Sequence, residues 1–234
     1  GIVLKRSWAG EVRNASLLVA IGVNSEGYRG ILGICEGAKE DKAGWSSFLK
    51  HLKERGLAGV QLIISDACLG LAESAAEFFP NARWQRCIVH WYRNIFSHVP
   101  ATKVREIAAM LKAIHASEDI LAAREKASRV IEKLRALRLT KAAELAEAAV
   151  EETLTYYAFP VEHWRRIRTN NPLERLLREI RRRTRVVGAF PDGESALNLA
   201  AARLRHVAGT AWSTKRYLNI GLLTDQQMRG AITA

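Results

Sequence analysis

The sequence is poor in cysteine and has no long apolar run, and both shortages narrow the class of protein. Its three cysteines, Cys35, Cys68 and Cys87, are too few and too scattered for a disulfide framework, and an odd number fits a reducing compartment. The longest apolar stretch, residues 17–23, falls far short of the roughly 20 residues that a membrane span needs. No cationic leader precedes an apolar segment, so we expect a cytoplasmic protein.

Several well-known motifs are missing, and acidic side chains are scarce. The sequence has no Walker loop, GxGxxG, GxSxG or HExxH motif, which removes support for nucleotide-hydrolysing, dinucleotide-binding and serine-hydrolase functions. Lys and Arg number 36 against 24 Asp and Glu, which gives a formal charge of +12. A polyanionic partner is expected. Nucleic acid is the commonest, although ribosomal, membrane-surface and heparin-binding proteins share this signature.

Strands and helices alternate over the first hundred residues. β-prone runs separated by turn residues predict strands at 2–6, 15–23 and 28–37, with a turn at 24–27. Periodicity then predicts, in order, a helix at 41–55, a strand at 59–66, a helix at 69–79 and a strand at 82–89. This β-β-β-α-β-α-β order predicts an α/β fold with a mixed sheet, the order found in ribonuclease H-like folds.

The middle of the chain differs in composition from both ends. Between residues 101 and 159 there is neither Gly nor Pro, and Ala, Glu, Lys, Arg and Leu dominate, which predicts several helices with solvated charged faces. We therefore expect three parts: residues 1–99 as the first part of the α/β domain, 100–160 as an all-helical insertion, and 161–234 as the C-terminal helical part. In the last part, helices are predicted from residue 171 and from near Asp192.

Asp66 and Glu174 are the carboxylates most able to carry chemistry, and each has a structural alternative. Asp66 ends the fourth predicted strand, where α/β sheets place catalytic groups, but Ser65-Asp66 before a helix is also a common capping sequence. Glu174 follows a strong helix start, with Asn171 as the N-cap and Pro172 as the first helical residue, so Glu174 could complete a capping box. Position alone favours capping at both sites.

The arginines that follow Glu174 favour its catalytic interpretation. On a helix, Arg178 and Arg181 lie four and seven residues on, along the same side as Glu174, and Arg185 lies one turn further. If DNA phosphates lie along these three arginines, which we call the arginine ridge, the carboxylate is held beside the scissile backbone and a divalent metal ion reconciles the charges. The two arginines after Arg181 are turned away by roughly 100° and 200° and should matter less.

Cys87 and His90 resemble a pair of metal ligands, but a structural zinc site needs four. The alternative is a Cys and a His at the end of the last predicted strand, packed against the sheet. The nearby aromatic residues Trp84, Trp91 and Tyr92 could stack on bases, but such residues are more often part of a core. The residues of this segment therefore do not by themselves indicate whether it binds metal, stacks on bases or belongs to the core.

Over nearly its whole length the chain resembles the mutator-type transposases of bacterial insertion sequences. The resemblance rests on four segments: KRSWAGEVRNASLLVAIGV, LIISDACLGL, WQRCIVHWYRNI and, most specifically, TNNPLERLLREIRRRTRVVGAFPDGESALNLA. It implies a ribonuclease H-like fold interrupted by a helical insertion, and an Asp-Asp-Glu triad that uses divalent metal ions to cut DNA and join its ends. It also implies that residues 1–99 and 161–234 form the catalytic domain.

The resemblance assigns roles residue by residue. Asp66 is the second Asp of the triad and Glu174 is its Glu, both catalytic and both metal ligands, while Cys87 and His90 form the family's Cys-x-x-His signature. The implied metal is Mg²⁺, which Mn²⁺ could replace. Because two such ions sit only roughly 4 Å apart, the two carboxyl groups are expected within about 10 Å of each other. The implied partners are double-stranded DNA, at element ends and target, and further copies in a homo-oligomeric, nucleoid-associated active complex.

This sequence departs from the family pattern at several positions. The resemblance implies that the family's first Asp lies directly before the residue that matches Gly1, outside this sequence. It implies the same of the N-terminal region that recognises terminal repeats in relatives. Leu177 stands where Asn is usual, and Ala67-Cys68-Leu69 stands where a His or charged residue is usual. We therefore expect the chain to bind duplex DNA without cleaving it efficiently. The alternatives are a catalytically dead remnant that only binds DNA, another nuclease or integrase of the same fold, and a basic structural or RNA-binding protein.

Overall fold

The chain folds as two compact units. The computed structural model describes residues 1–8, 11–37, 41–68 and 70–232. The first unit comprises residues 1–61, 68–82 and 171–234, and the second comprises residues 62–67 and 83–170. Among the described residues, no helix is both long and apolar enough to cross a membrane.

The described elements include five strands and eleven helices. The strands are β1 (Ile2–Trp8), β2 (Glu11–Val23), β3 (Arg29–Gly37), β4 (Leu62–Ser65) and β5 (Arg83–Arg86). The helices are α1 (Lys42–Glu54), α2 (Leu71–Phe78), α3 (Ile88–Phe96), α4 (Val104–Ile114), α5 (Ile120–Ala136), α6 (Thr140–Ala149), α7 (Trp164–Ile167), α8 (Asn171–Thr184), α9 (Gly193–Ala208), α10 (Ala211–Thr214) and α11 (Ile220–Ile232). The predicted β-β-β-α-β-α-β order is confirmed.

The first three predicted strands form an antiparallel meander in the first unit. Its three strands pair in the order β1-β2-β3, although β2 begins four residues before its predicted start at residue 15. The predicted turn forms because the Asn24 side chain accepts the N–H groups of Glu26 and Tyr28, at 3.1 and 2.8 Å. Gly27 has a φ of 91°, a left-handed conformation that glycine adopts readily. Ala9 and Gly10, within the first segment of the family resemblance, lie outside the described residues.

The helix α1 shows why the first helix prediction succeeds. Asp41 is its N-cap and its side chain accepts the N–H of Gly44 at 3.0 Å, which satisfies one of the unpaired donors at the helix start. The apolar residues at helical spacing are all buried: Trp45, Phe48, Leu49 and Leu52. Local capping and periodicity therefore agree, and the predicted range 41–55 matches the observed one.

The core of the first unit sets the orientation of α8. Ile2 and Leu17 of the sheet pack in one cluster with Leu177 and Ile180 of α8 and with Ala200 of α9. Because the apolar side of α8 is buried in this cluster, its opposite side faces solvent. The helix begins at Asn171, one residue before the predicted first helical residue, and the predicted second helix is confirmed as α9, with Asp192 as its N-cap.

The second unit contains a short parallel strand pair followed by helices. The strands predicted at 59–66 and 82–89 form β4 and β5, which pair in parallel from Leu62 with Arg83 to Ser65 with Arg86. The prediction of a strand as far as residue 89 is wrong, because β5 ends at Arg86 and α3 begins at Ile88. The buried residues of α3 have helical spacing, and burying them favours a helix at this point: Ile88, Trp91, Tyr92 and Ile95.

The alanine-rich middle of the chain forms helices, as predicted. The helices α4, α5 and α6 pack around one cluster in which Ala127, Ala142 and Ala143 are each at most 2% exposed. Small side chains allow the helices to approach closely, while charged residues pair on the outside, as in Arg124 with Glu151 at 2.9 Å and Arg135 with Glu147 at 2.6 Å. These exposed pairs match the predicted solvated charged faces.

The strands pair differently from the expected mixed sheet. The described strands form two sheets, one antiparallel with three strands and one parallel with two, rather than a single mixed sheet. Alternation of apolar residues indicates which residues are extended, but not which strands share hydrogen bonds. The α/β class is confirmed, while the ribonuclease H-like arrangement stays an expectation.

Candidate active site and nucleic-acid interface

Asp66 directly follows β4, at the carboxyl end of the parallel pair. The N–H of Cys87 donates to the Ser65 carbonyl at 2.7 Å. The Ser65 hydroxyl donates to the Asp66 carbonyl at 2.8 Å and accepts the indole N–H of Trp84 at 2.9 Å. Hydrogen bonds from the end of β5 and from α3 therefore hold the main chain around Asp66, whose side chain is half-buried.

The helix-capping alternative for Asp66 is wrong. The N-cap of α2 is Gly70, which has a φ of 78°, and no side chain caps this helix. A Cβ atom at Gly70 would lie 2.4 Å from the Cα of Lys42, so both the backbone conformation and the close approach require glycine. Leu69, where the helix was predicted to begin, lies outside the described residues.

Cys87 and His90 lie at the start of α3 rather than at a strand end. Cys87 is the N-cap of α3 and is fully buried, and its sulphur accepts the N–H of Asn170 at 3.5 Å. Burial raises the pKa of the Cys87 thiol, but hydrogen bonds from the His90 side chain and from the Asn170 N–H outweigh burial and lower the pKa below its usual value. The two residues of the motif are thus neighbours on one side of α3, one turn apart.

The first prediction concerns zinc at this pair. Within the described ranges, no third His, Cys, Asp or Glu joins Cys87 and His90 in a group that could hold a metal ion. We expect the isolated chain to retain well under one equivalent of zinc after dialysis, as measured by atomic emission, because two ligands leave a tetrahedral site half-built. Cys35→Ser is the matched control. Stoichiometric zinc that is lost in Cys87→Ser but kept in Cys35→Ser would contradict the prediction.

The aromatic residues around this motif are mostly part of the core. Trp91 is 1% exposed and Tyr92 is 8% exposed, and both belong to the cluster of the helical insertion. Trp84 is half-buried, and its indole N–H is committed to Ser65. The core alternative is therefore confirmed for Trp91 and Tyr92, and stacking on bases is not available to either.

Glu174 lies in the first turn of α8, where a negative charge is favoured by the helix dipole. Its side chain is half-buried. Leu177, at the position where the family usually has Asn, is 1% exposed and belongs to the core of the first unit. This departure from the family pattern therefore adds apolar packing beside Glu174 instead of a polar group.

The arginine ridge is exposed on α8 and just beyond it. Arg178, Arg181 and Arg185 are all exposed, and none forms an ion pair with a residue that the structure describes. The helix ends at Thr184, so Arg185 lies one residue past its end, but the Arg185 N–H still donates to the Arg181 carbonyl at 3.0 Å. The predicted helical spacing therefore extends to all three residues.

Glu179 binds two arginines of α8 that do not belong to the ridge, and one arginine of α9. Its carboxylate accepts hydrogen bonds from Arg182 at 2.9 Å and Arg183 at 3.4 Å, both on α8, and from Arg203 of α9 at 2.7 Å. These contacts, led by the hydrogen bond from Arg182, lower the pKa of Glu179 to about 2. This cluster was not predicted from the sequence. The i,i+3 and i,i+4 spacing of Glu179 to Arg182 and Arg183 could have indicated two of its contacts. The contact with Arg203, 24 residues away, could not be inferred from spacing.

Positive charge is concentrated in the last third of the chain. Residues 161–234 contain 14 Lys and Arg against six Asp and Glu, whereas residues 100–160 contain ten against nine. The helical insertion is therefore nearly neutral, and many of its charges pair with each other. A polyanion would be attracted mainly by the part of the chain that carries Glu174 and the arginine ridge.

Asp66 belongs to the second unit and Glu174 to the first. The expected separation of at most about 10 Å between their carboxyl groups stays a prediction. Both side chains are half-buried, and they lie at the end of β4 and at the start of α8 respectively.

Comparison with known proteins identifies the class to which the chain belongs. Residues 1–213 match the Mutator family of transposases. The chain therefore belongs to the Mutator transposase family, and the resemblance inferred from its four sequence segments is confirmed.

Individual relatives are transposases of bacterial insertion sequences. Over its full length, the chain is 40% identical to the transposase for insertion sequence element IS1081 of Mycobacterium tuberculosis, of which it covers 55%. It is 34% identical, over 94% of its length, to the transposase for ISRM5 of Rhizobium meliloti, of which it covers 55%. It is also 34% identical, over 89% of its length, to the transposase for IS256 in transposon Tn4001 of Staphylococcus aureus, of which it covers 54%. The chain thus spans about half the length of the curated relatives that it matches.

Proposed function

We propose that the chain is the catalytic region of a transposase that cuts DNA and transfers its strands in a metal-dependent reaction as an insertion sequence moves. The observation that carries this proposal is the division of the arginines on α8. Glu179 holds Arg182 and Arg183, whereas the arginine ridge on the Glu174 side is exposed and forms no ion pair among the described residues. Exposed arginines in a row beside a carboxylate are suited to hold DNA phosphates next to a catalytic metal.

The donor atoms of Asp66 and Glu174 fit Mg²⁺. Both are carboxylates, which supply the hard oxygen ligands that Mg²⁺ prefers and that Mn²⁺ also accepts. Both are half-buried, so each combines a fixed position with access from solvent. When bound, divalent metal activates water or a 3′-hydroxyl and stabilises the leaving oxygen. Asp66 and Glu174 are assigned as two of the metal ligands.

The proposal also includes two partners, duplex DNA and further copies of the chain. The arginine ridge holds the phosphate backbone of duplex DNA, both at the element ends and at the target, by contacts that do not depend on base sequence. Further copies of the chain, in a homo-oligomeric complex, would supply one active site for each element end. The family membership of the chain and the basic character of residues 161–234 support DNA as the partner.

The direct test of this proposal compares two polypeptides. The chain itself should bind duplex DNA but nick it poorly, and a longer polypeptide that extends upstream through the Asp expected from the resemblance should gain nicking that requires Mg²⁺ or Mn²⁺. Conversion of supercoiled plasmid to open circles, with and without EDTA, measures both. Robust nicking by the unextended chain, abolished by Asp66→Asn, would show that another acid completes the site. Binding without nicking by the extended polypeptide would favour the DNA-binding remnant.

The arginine ridge gives a second prediction for DNA binding. Replacing Arg178 or Arg181 with Ala should weaken binding to all duplex sequences alike and flatten the dependence of log affinity on log salt by about one unit, because one phosphate contact and its released counterion are lost. Fluorescence anisotropy over a salt series on two unrelated duplexes measures the slope.

Arg182 and Arg183 are matched controls on the same helix. Their guanidinium groups are held by Glu179, so Arg182→Ala and Arg183→Ala should change the slope much less. Equal flattening in all four variants would mean that the tract is a diffuse basic patch and that the ordered ridge is wrong.

A further inference from the structure

The Cys-x-x-His motif has no role in the proposed reaction, yet it occupies a central place in the second unit. Cys87 is 0% exposed, so its thiol is closed to substrates and oxidants in solution. Among the residues that the structure describes, no further His, Cys, Asp or Glu joins it and His90 to complete the ligand set of a zinc site. A catalytic thiol and a structural metal centre are therefore both poor explanations.

The backbone and side chain of Cys87 join three segments of the chain. Its N–H donates to the carbonyl of Ser65 at 2.7 Å, which fixes the residue directly before Asp66. Its sulphur accepts the N–H of Asn170 at 3.5 Å, and the N–H of the next residue, Ile88, donates to the carbonyl of Arg168 at 3.2 Å. The end of β4, the start of α3 and residues 168–170 thus meet at Cys87.

The contacts at Cys87 explain why a Cys and a His suit this place in the second unit. The first N–H groups of a helix lack partners within the helix, and here the carbonyl groups of neighbouring segments accept two of them, from Cys87 and Ile88. A thiol is small and apolar enough to be buried, and its large sulphur can accept the N–H of Asn170 across a long distance. His90 lies one turn later on the same side of α3, close enough to the sulphur to lower the pKa of the Cys87 thiol.

We propose that Cys87 and His90 are positioning residues that hold Asp66 in place for metal binding, by locking the end of β4 to the start of α3 and to residues 168–170. Asn170 is followed directly by the first residue of α8, the helix that carries Glu174. The inference rests on the proposed function, because it takes Asp66 to be a metal ligand. Replacing residues that orient metal ligands without touching the metal typically lowers metal affinity or activity by roughly 10- to 100-fold.

The experiment uses the extended polypeptide that nicks DNA and compares Cys87→Ala, Cys87→Ser and His90→Ala with the control Cys35→Ala. The Mg²⁺ concentration for half-maximal nicking should rise roughly tenfold in Cys87→Ala and His90→Ala. The rate at saturating Mg²⁺ and the affinity for DNA should change much less. Cys87→Ser should lie between Cys87→Ala and the native protein, because a hydroxyl can still accept the N–H of Asn170. Cys35→Ala should match the native protein.

Hydrogen exchange on the chain itself provides a measurement that does not depend on activity. The amides of Cys87 and Asn170 should exchange faster in Cys87→Ser than in the native chain, whereas amides of α1 should not. If Cys87→Ala fails to fold, the Mg²⁺ dependence of nicking and the hydrogen exchange of Cys87→Ser test the proposal instead. Unchanged Mg²⁺ dependence and unchanged exchange in a folded Cys87→Ser would overturn the inference. Nicking that survives Asp66→Asn would instead overturn the proposed function, while the exchange data would still report on the junction.

Discussion

Asp66→Asn and Glu174→Gln should each slow Mg²⁺-dependent nicking by about a thousandfold or more, because a metal-bound carboxylate contributes several kcal/mol to the stability of the transition state. Affinity for duplex DNA should stay equal or increase, since each change removes a negative charge near phosphates. Opposite effects on catalysis and binding are the signature of a metal ligand. If the carboxylate only capped a helix, its replacement would lower the stability of the chain and leave the Mg²⁺ dependence of nicking unchanged.

Single-turnover nicking by the extended polypeptide, followed with anisotropy on the same duplex, measures both effects. Glu144→Gln is the matched control, because Glu144 is an exposed carboxylate of the helical insertion and pairs with Lys141 at 3.6 Å. It should nick at the native rate. Nicking within tenfold of the native rate by either Asp66→Asn or Glu174→Gln would remove that residue from the site.

The second unit should lose about 2 kcal/mol of stability between pH 7 and pH 5 through His115 alone. This residue is 4% exposed, and burial, with a smaller contribution from Arg168, lowers its pKa from 6.5 to about 3. Its Nε2–H donates to Thr153 at 2.8 Å, because the Thr153 hydroxyl already donates to the Val150 carbonyl. Its Nδ1 accepts the hydroxyl of Tyr92 at 2.7 Å. Both ring nitrogens are therefore satisfied only in the neutral form.

The direction of the effect follows from the lowered pKa. Between pH 6.5 and about 3 the unfolded chain binds a proton at His115 that the folded chain does not, so stability is present above pH 6.5 and is lost as the pH falls. Urea unfolding followed by tryptophan fluorescence at pH 7 and pH 5 measures the loss. In His115→Gln the chain should be less stable at pH 7 but should lose about 2 kcal/mol less between the two pH values. His98→Gln, at an exposed position, should behave like the native chain. An unchanged loss in His115→Gln would contradict the assignment.

The sequence predicted best where local and tertiary preferences agree. The range of α1 was predicted to within one residue at each end, because the Asp41 cap and the buried apolar positions mark the same helix. The turn at residues 24–27 and the start of α9 after Asp192 were predicted for the same reason. Each of these elements is specified by side chains that bond to their own neighbouring backbone.

The predictions failed where a contact distant in sequence decides the outcome. The run 82–89 is compatible with a strand throughout, but the segment turns into α3 after Cys87, whose N–H bonds to Ser65, 22 residues earlier. Ser65-Asp66 was one candidate cap for α2, whereas packing against Lys42 selects Gly70 as its N-cap. Periodicity over four to eight residues cannot distinguish a short strand from the first turn of a buried helix.

By itself the sequence determined the α/β class, the helical character of residues 100–160, the apolar and basic sides of α8 and membership of the Mutator transposase family. The α/β class, the helical character of residues 100–160 and the two sides of α8 follow from side-chain type and spacing. Family membership instead follows from the resemblance of four sequence segments to known mutator-type transposases. Only the tertiary structure decided that Glu179 binds Arg203 together with Arg182 and Arg183, and that Cys87 joins Ser65 to Asn170. Those contacts join residues that lie far apart in sequence. A polar atom that is shielded from solvent must form its hydrogen bonds with whichever protein groups the fold places beside it.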